Sequence, residues 1–244
     1  MTLNIVHGTR VPLPPALYPR GRLRANLDAI ARVVVRERPD VVAMQEADGG
    51  GRLDRVAYLA EAAALSELVH DATPRDPAMR HGAALLSRLS LSNTASSAFA
   101  TGVADDKGWV VARVAAPGLV LDIASVHLAP FGAKRRRRQI ERLVAELADR
   151  ARPLVVLGDL NCPWRGPDEG VGLLARRLGL RPCDADPSPT HVFAGVRQRL
   201  DWILVSDELE VRRHRTLPDR VSDHRAVLAD LALRVPVQLE RGRA

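Results

Sequence analysis

Two short stretches, Gly158-Asp159-Leu160-Asn161 and Ser222-Asp223-His224, set carboxylate, carboxamide and imidazole groups beside apolar runs. Those are the side chains of hydrolysis. A carboxylate orients or deprotonates water, an imidazole moves protons near neutral pH, and an amide holds an anionic oxygen. Leu154 to Leu157 form an unbroken apolar run just before Asp159, the sign of a strand buried on both faces, and Ala226 to Leu233 form a second run after His224. The arrangement recurs: Val41-Val42-Ala43-Met44 leads into Gln45-Glu46, Leu121 to Val126 leads into His127, and Leu200 to Val205 carries Asp201 within a strand. Polar groups at strand ends collect along one edge of a sheet, so residues far apart in sequence are expected to converge on one cleft.

Glu46, Asp159, Asp201 and Asp223, with Asn4 and Asn161, form an oxygen-rich set that suits Mg2+, Mn2+ or Ca2+ better than a thiolate-bound metal. His127 and His224 leave zinc open, but neither lies in a compact His-x-x-x-His pattern, so acid–base chemistry is the more natural use of imidazole. Cys162 and Cys183 are too few for a disulfide framework and fit no zinc spacing, which points to a reducing compartment. Met1 to Val6 runs straight into motif-like sequence, without the basic region, apolar core and cleavage site of a secretory leader, and no run of about 20 apolar residues spans a membrane. A cytoplasmic location is expected.

The elements that must position these groups alternate between strand and helix. Leu3 to Val6 reads as a first strand, and Pro12, Pro14, Pro15 and Pro19 as an irregular loop. Leu23, Leu27, Ile30, Val33 and Val34 recur at helical spacing up to Arg38-Pro39-Asp40, and the strand at Val41 follows. Leu53 to Leu68 reads as an Ala-rich helix, Ala83 to Leu86 as a strand, and Val110–Val114 with Leu119–Val126 as a hairpin across Ala116-Pro117-Gly118. Ile140, Leu143, Val144 and Leu147 mark a further helix that Pro153 ends. Such a mixture implies packed sheets with helices outside rather than a purely parallel, doubly wound sheet. At 244 residues, with no linker or repeat, one domain over residues 1–235 with a frayed tail at 236–244 is expected.

A formal charge of +7 and a pI near 10.5 suit an anionic partner: nucleic acid, a phosphoester or a membrane surface. Lys107 and Lys134 are the only lysines among 36 basic residues, so the excess of arginine reads equally well as a habit of composition. The run Arg135 to Arg138 sits beside an amphipathic stripe and is favoured as a solvated helix face over a nucleic-acid track. Trp202 lies in an apolar strand and suits core packing, whereas Trp164, just past Asn161, is the better candidate for touching substrate.

Taken in order, the motifs Leu3 to Gly8, Pro39 to Glu46, Gly82 to Arg88, Ser125 to Leu128, Gly158 to Asn161, Leu200 to Leu204 and Ser222 to His224 resemble those of the endonuclease/exonuclease/phosphatase superfamily, also called deoxyribonuclease-I-like. The resemblance covers nearly the whole chain. It implies an α/β fold, a four-layered sandwich of two packed mixed β-sheets flanked by helices, with the site at one sheet edge. It implies phosphoester hydrolysis with Mg2+ or Mn2+, phosphodiesters favoured. Glu46 would be the main metal ligand, supported by Asn4 and Asp223. His224, oriented by Asp201, would act as general acid or base, Asp159 would position or deprotonate water, and Asn161 and His127 would hold the phosphate. Arg80-His81 stands where nuclease-type members place a second acid, and neither Tyr18 nor Tyr58 lies where abasic-site endonucleases carry a catalytic tyrosine, which argues against both subfamilies. His7 acquires no role. The chain is expected to work as a monomer on a phosphoester, nucleic acid among the possible substrates. The competing reading is a catalytically silent nucleic-acid-binding module that uses the basic surface.

Overall fold

The computed structural model describes residues 1–10, 19–47, 53–70, 82–99, 107–150, 153–184, 186–193 and 195–234. The loop around Pro12, Pro14 and Pro15, Tyr18, the pair Arg80-His81 and the tail 236–244 lie outside the described residues. In chain order the elements begin with β1 (Thr2–Asn4), α1 (Arg20–Glu37), β2 (Val41–Gln45), α2 (Arg55–Ala62), β3 (Glu67–His70) and β4 (Ala84–Ser87). Next come β5 (Leu91–Ala98), β6 (Gly108–Ala116), β7 (Leu119–His127), α3 (Ala133–Leu147) and β8 (Leu154–Asp159). The remainder is α4 (Gly170–Leu178), β9 (Leu180–Pro182), β10 (His191–Phe193), β11 (Val196–Gln198), β12 (Asp201–Ser206), β13 (Leu209–Thr216) and β14 (Val227–Leu233).

Alternating side chains build four layers. Leu27, Ile30 and Val34 of α1 and Leu59 of α2 pack on the outward face of one sheet, against Leu3, Val42, Met44 and Leu86. Ile140, Leu143 and Leu147 of α3 and Leu174 of α4 cover the other sheet through Val126, Val156, Leu204 and Trp202. The intervening residues of the same strands, Ala43, Leu85, Ile123, Val155, Leu157 and Ile203, meet between the sheets. Strand β8 thus alternates Leu154 and Val156 outward with Val155 and Leu157 inward, which is why its sequence is apolar throughout.

The sheets have the orders β13-β14-β1-β2-β4-β3 and β5-β6-β7-β8-β12-β9, with β10-β11 as a separate ribbon. Both are mixed. β1 runs parallel to β2 through α1, and β7 parallel to β8 through α3, while the other pairings in the two sheets are antiparallel. Among the described residues no helix is long and apolar enough to cross a membrane.

Two expected elements change. The first strand stops at Asn4 because its side-chain Oδ1 accepts the Val6 N–H at 3.0 Å and turns the chain into a short 3-10 segment, Val6–Gly8. The expected helix from Leu53 to Leu68 ends at Ala62, and Glu67 and Leu68 instead open β3, paired with β4 at Glu67↔Ser87. Asp54 caps that helix by accepting from Ala57 N–H at 2.9 Å, and Ala64, in the left-handed region at φ 52°, turns the chain out of it.

Between β7 and β8 the approach is so close that a Cβ on Gly158, at φ +149°, would fall 1.9 Å from the Val126 carbonyl oxygen. Gly158→Ala is expected to lower stability by about 3 kcal/mol, the upper part of the usual range for overpacking, and to displace Asp159. A urea midpoint equal to that of the parent chain would show that the strands have room to spare.

Candidate active site

Strand direction explains why the expected residues meet. Asn4, Glu46, His127 and Asp159 lie at or just past the C-terminal ends of β1, β2, β7 and β8, two parallel pairs whose ends share one edge of the sandwich. β12 runs antiparallel to β8, so its N-terminal residue reaches that edge and Asp201 pairs with Asp159 in register. β14 runs antiparallel to β1, with Val227 opposite Thr2, and its approach segment Ser222-Asp223-His224 arrives there too. Asn4, Glu46, His127, Asp159, Asn161, Asp223 and His224 line one cleft of about 620 Å3, and Asp201 stands behind His224.

Asp159 is the hub. Its Oδ2 accepts from Asn4 Nδ2 at 3.0 Å across the two sheets and lies 3.4 Å from His127 Nε2 and 3.7 Å from His224 Nε2, while Oδ1 accepts the Asn161 N–H at 3.0 Å. Burial pushes its pKa up, but the fields of His224 and His127 and the Asn4 hydrogen bond outweigh burial and hold the carboxyl well below its usual range. His224 donates from Nδ1 to Asp201 Oδ2 at 2.8 Å. Burial works against its charge, yet Asp201 first and then Asp159 raise the imidazolium to about 10. Unlike Asp159, Asp223 is raised, chiefly by burial, and its Oδ2 lies 3.8 Å from His191 Nε2.

Glu46 lines the same cleft. Its oxygens lie 3.3 Å from Lys107 Nζ, 3.3 Å from His7 Nε2 and 3.9 Å from His127 Nε2. Burial disfavours its charge, but Lys107, His127 and His7 together bring it down to about 2. Glu46 and Asn161 both hold left-handed backbone at φ 49°, a conformation that costs a non-glycine residue free energy and concentrates at working sites. Asn161 Nδ2 donates to Leu128 O at 2.9 Å, fixing the carboxamide.

Of the expected metal ligands, Asn4 spends its amide on Asp159 and one lone pair of its oxygen on Val6 N–H, so its first effect is to clamp the two sheets. Donor atoms of the described His, Cys, Asp and Glu residues lying within 4.8 Å of one another group as His191, Asp223 and His224, and as Asp159, Asp201 and His224. Glu46 stands apart from both groups. Even so, an ionised oxygen donor facing a cleft, balanced by side-chain cations, with carboxylates and carboxamides around it, is the chemistry that suits a hard divalent ion.

Several site residues escaped the sequence reading. Lys107 and His191 lie outside the motifs, and His7, within the motif Leu3 to Gly8, acquires no role from it. The one signal present was a rare lysine just before a strand, Lys107. The ring of His191 packs 4.6 Å from that of His224, and burial first, then the His224 charge, lowers its pKa, so a neutral imidazole stands beside a charged one. Arg136 departs from the solvated face expected for it: half-buried, it donates to the Ala129 and Pro130 carbonyls at 3.1 and 2.9 Å and lines the cleft, while Arg135, Arg137 and Arg138 stay exposed. Trp164 lies outside the cleft lining, against Trp202 at 6.2 Å, and Trp202 is in the core as expected. Tyr58 packs on the outer helical layer and donates to Asp28, away from the cleft.

The model of the Endonuclease/Exonuclease/phosphatase family matches residues 1–224. No curated protein matches the chain. Among solved structures, an endonuclease/exonuclease/phosphatase from Beutenbergia cavernae DSM 12333 is similar at 22% identity over 95% of this chain and 70% of that one, with a TM-score of 0.73. A family protein from Leptotrichia buccalis C-1013-b is similar at 17% identity over 95% and 98%, with a TM-score of 0.73. ANGEL2, a 2',3'-cyclic phosphatase in complex with adenosine-2',3'-vanadate, is similar at 15% identity over 88% of each chain, with a TM-score of 0.69. At these identities the likeness shows the fold.

Because the pKa of His224 is raised on folding, its charge stabilises the fold fully below about 6.5, the unfolded value, and that contribution is lost as pH climbs to about 10. In metal-free protein, nitrogen NMR is expected to show His224 as imidazolium up to about pH 9, and Asp201→Asn to bring its titration down by more than one unit. A His224 that titrates near its ordinary value in the parent chain would refute the Asp201 pairing.

Proposed function

The chain belongs to the endonuclease/exonuclease/phosphatase family, and from that membership we propose that its cleft hydrolyses phosphodiesters through Asp159, His224 and a divalent cation at Glu46. Phosphoester hydrolysis with a divalent metal is the family's chemistry. One observation carries it. A buried, ionised Asp159 and an imidazolium at His224 face each other at 3.7 Å, with the far nitrogen of His224 held by Asp201.

An anionic phosphodiester repels hydroxide, so catalysis requires donors that meet charge growing on the phosphoryl oxygens and a group that directs the water. His224, charged at neutral pH, supplies a proton to a phosphoryl or leaving oxygen, and Asp201 keeps its ring in register. The remaining amide hydrogen of Asn161 and the Nε2 of His127 flank Asp159 and suit a bound phosphate oxygen. Asp159 orients the water. Held so far below neutrality it is a weak base, but a phosphate that draws on the fields of His224 and His127 restores its basicity. A hard cation, Mg2+ or Mn2+, held by Glu46 with Asn4 and Asp223, would polarise the phosphoryl oxygens when bound.

Residues 1–235 are read as one domain, since the lining of the cleft runs from Asn4 to His224, and the chain is read as a monomer. The free, buried Cys162 and Cys183, the latter pushed up to about 12 by burial, support a reducing cytoplasm. A silent binding module has no use for an ionised Asp159 beside the Asp201–His224 pair, and nothing observed favours it. The nucleotide analogue named with ANGEL2 supports nucleotide-type esters as substrates.

Hydrolysis of bis-p-nitrophenyl phosphate is expected to stop on exhaustive chelation and return with Mg2+ or Mn2+, with Glu46→Gln weakening the activity and shifting its metal dependence to higher concentration. His224→Ala and Asp159→Asn are each expected to cost roughly 10²–10⁴ in kcat while the fold persists, and the double variant to lose no more than the worse single one. Full turnover in chelator, or strictly additive losses, would refute the shared step.

A further inference from the structure

Beside the catalytic cleft lies a second cavity of about 290 Å3, and the two share Arg136, Pro163 and Arg165 in a common wall. Lys134 and Arg137 also face the second cavity. Its ion pairs are few and specific: Arg137 pairs with Glu141 at 3.1 Å, and Asp168 with Arg176 at 3.0 Å. Lys134, Arg136 and Arg165 have no carboxylate partner among the described residues, and the only groups seen to hold Arg136 are neutral carbonyls. Glu169, also on the wall, offsets at most one of the three charges. Cations gathered without counter-ions repel one another, and an anion relieves that repulsion; two guanidinium groups offer the forked donor geometry that phosphate oxygens accept.

Aromatic residues make up only 3% of the chain, yet Phe131, on the lip of the catalytic cleft, is 82% exposed. An apolar ring left in water at the mouth of a polar cleft is a platform for a nucleobase. We propose that Lys134, Arg136 and Arg165 bind the phosphate next to the scissile one in a single-stranded nucleotide chain, with a base of that chain stacked on Phe131. The inference rests on the phosphodiesterase reading of the cleft and adds the substrate class: a strand carrying at least two phosphates and a base. Inositol polyphosphates share the phosphate chemistry but lack the base.

The test separates the two readings. On the inactive His224→Ala background, full-length protein is titrated into fluorescent oligothymidylate at several salt concentrations. Adding Lys134→Gln and Arg165→Gln is expected to weaken binding at least tenfold and to make the salt dependence shallower by about 0.7 in log–log slope, the release expected for one single-strand phosphate contact. Unchanged affinity and slope overturn the subsite. In active protein, Lys134→Gln is expected to keep kcat/KM on bis-p-nitrophenyl phosphate within twofold while losing at least fivefold on the oligonucleotide; equal losses on both overturn it. Phe131→Ala is expected to weaken oligothymidylate binding and spare that of inositol hexakisphosphate, and loss of both or neither overturns the nucleotide assignment. If the parent protein hydrolyses neither ester, yet oligonucleotide binding still depends on the two cations, the hydrolase reading fails and the subsite stands.

Discussion

The buried charge of Asp159 is the constraint on which the rest of this structure depends. With its side chain only 2% exposed, the carboxylate has left water, and an unpaired ion in such a place is costly enough to unfold a domain of ordinary stability. Its partners come from separate elements: Asn4 at the end of β1, His127 at the end of β7, Asn161 in the turn after β8, and His224 ahead of β14. Satisfying one carboxylate therefore fixes the edge where the two sheets meet. Gln45 and Ser125 add a second polar tie between the sheets at 3.1 Å, one residue back from Glu46 and two back from His127.

That arrangement stores free energy as well as position. Val6, His7, Glu46 and Asn161 all hold positive φ, and Gly158 permits a strand contact that no side chain would allow. Each is a local cost that the packed sheets and the polar seam over-determine. The result is preorganisation: donors and charges stand in place before a substrate arrives, so little reorganisation is required during reaction.

The charges form two sets that meet at His127, which lies 3.4 Å from Asp159 and 3.9 Å from Glu46. Asp159, Asp201 and Asp223 surround His224, whereas Lys107, His7 and His127 surround Glu46, so each ion is stabilised by opposite neighbours within the protein. Among the described residues Lys134, and Arg136 and Arg165 on the wall that the cleft shares with the second cavity, pair with no such acid. An anionic substrate meets a site balanced within itself and a rim that is not, which favours approach from the arginine-rich side.

Much of this was legible in the order of residues. A strand buried on both faces must be apolar along its length, and its polar terminus is then conspicuous; Asp159 after Leu154–Leu157 and Glu46 after Val41–Met44 are visible for that reason. The helices on α1 and α3 were legible from their apolar stripes. Edge elements were not: β13, with Arg212, Arg213 and Arg215, has one covered face and reads as polar, α4 opens on Gly170 and Gly172, and β3 continued an Ala-rich helical pattern. What only the tertiary structure decided is which charges stand together. Lys107 and His7 reach Glu46 from 61 and 39 positions away, and His191, at the start of β10, reaches His224 through an isolated bridge. Periodicity is a property of neighbours in sequence, while an electric field sums over neighbours in space, so the sequence by itself set the eight expected residues and their edge, and the fold set their charges.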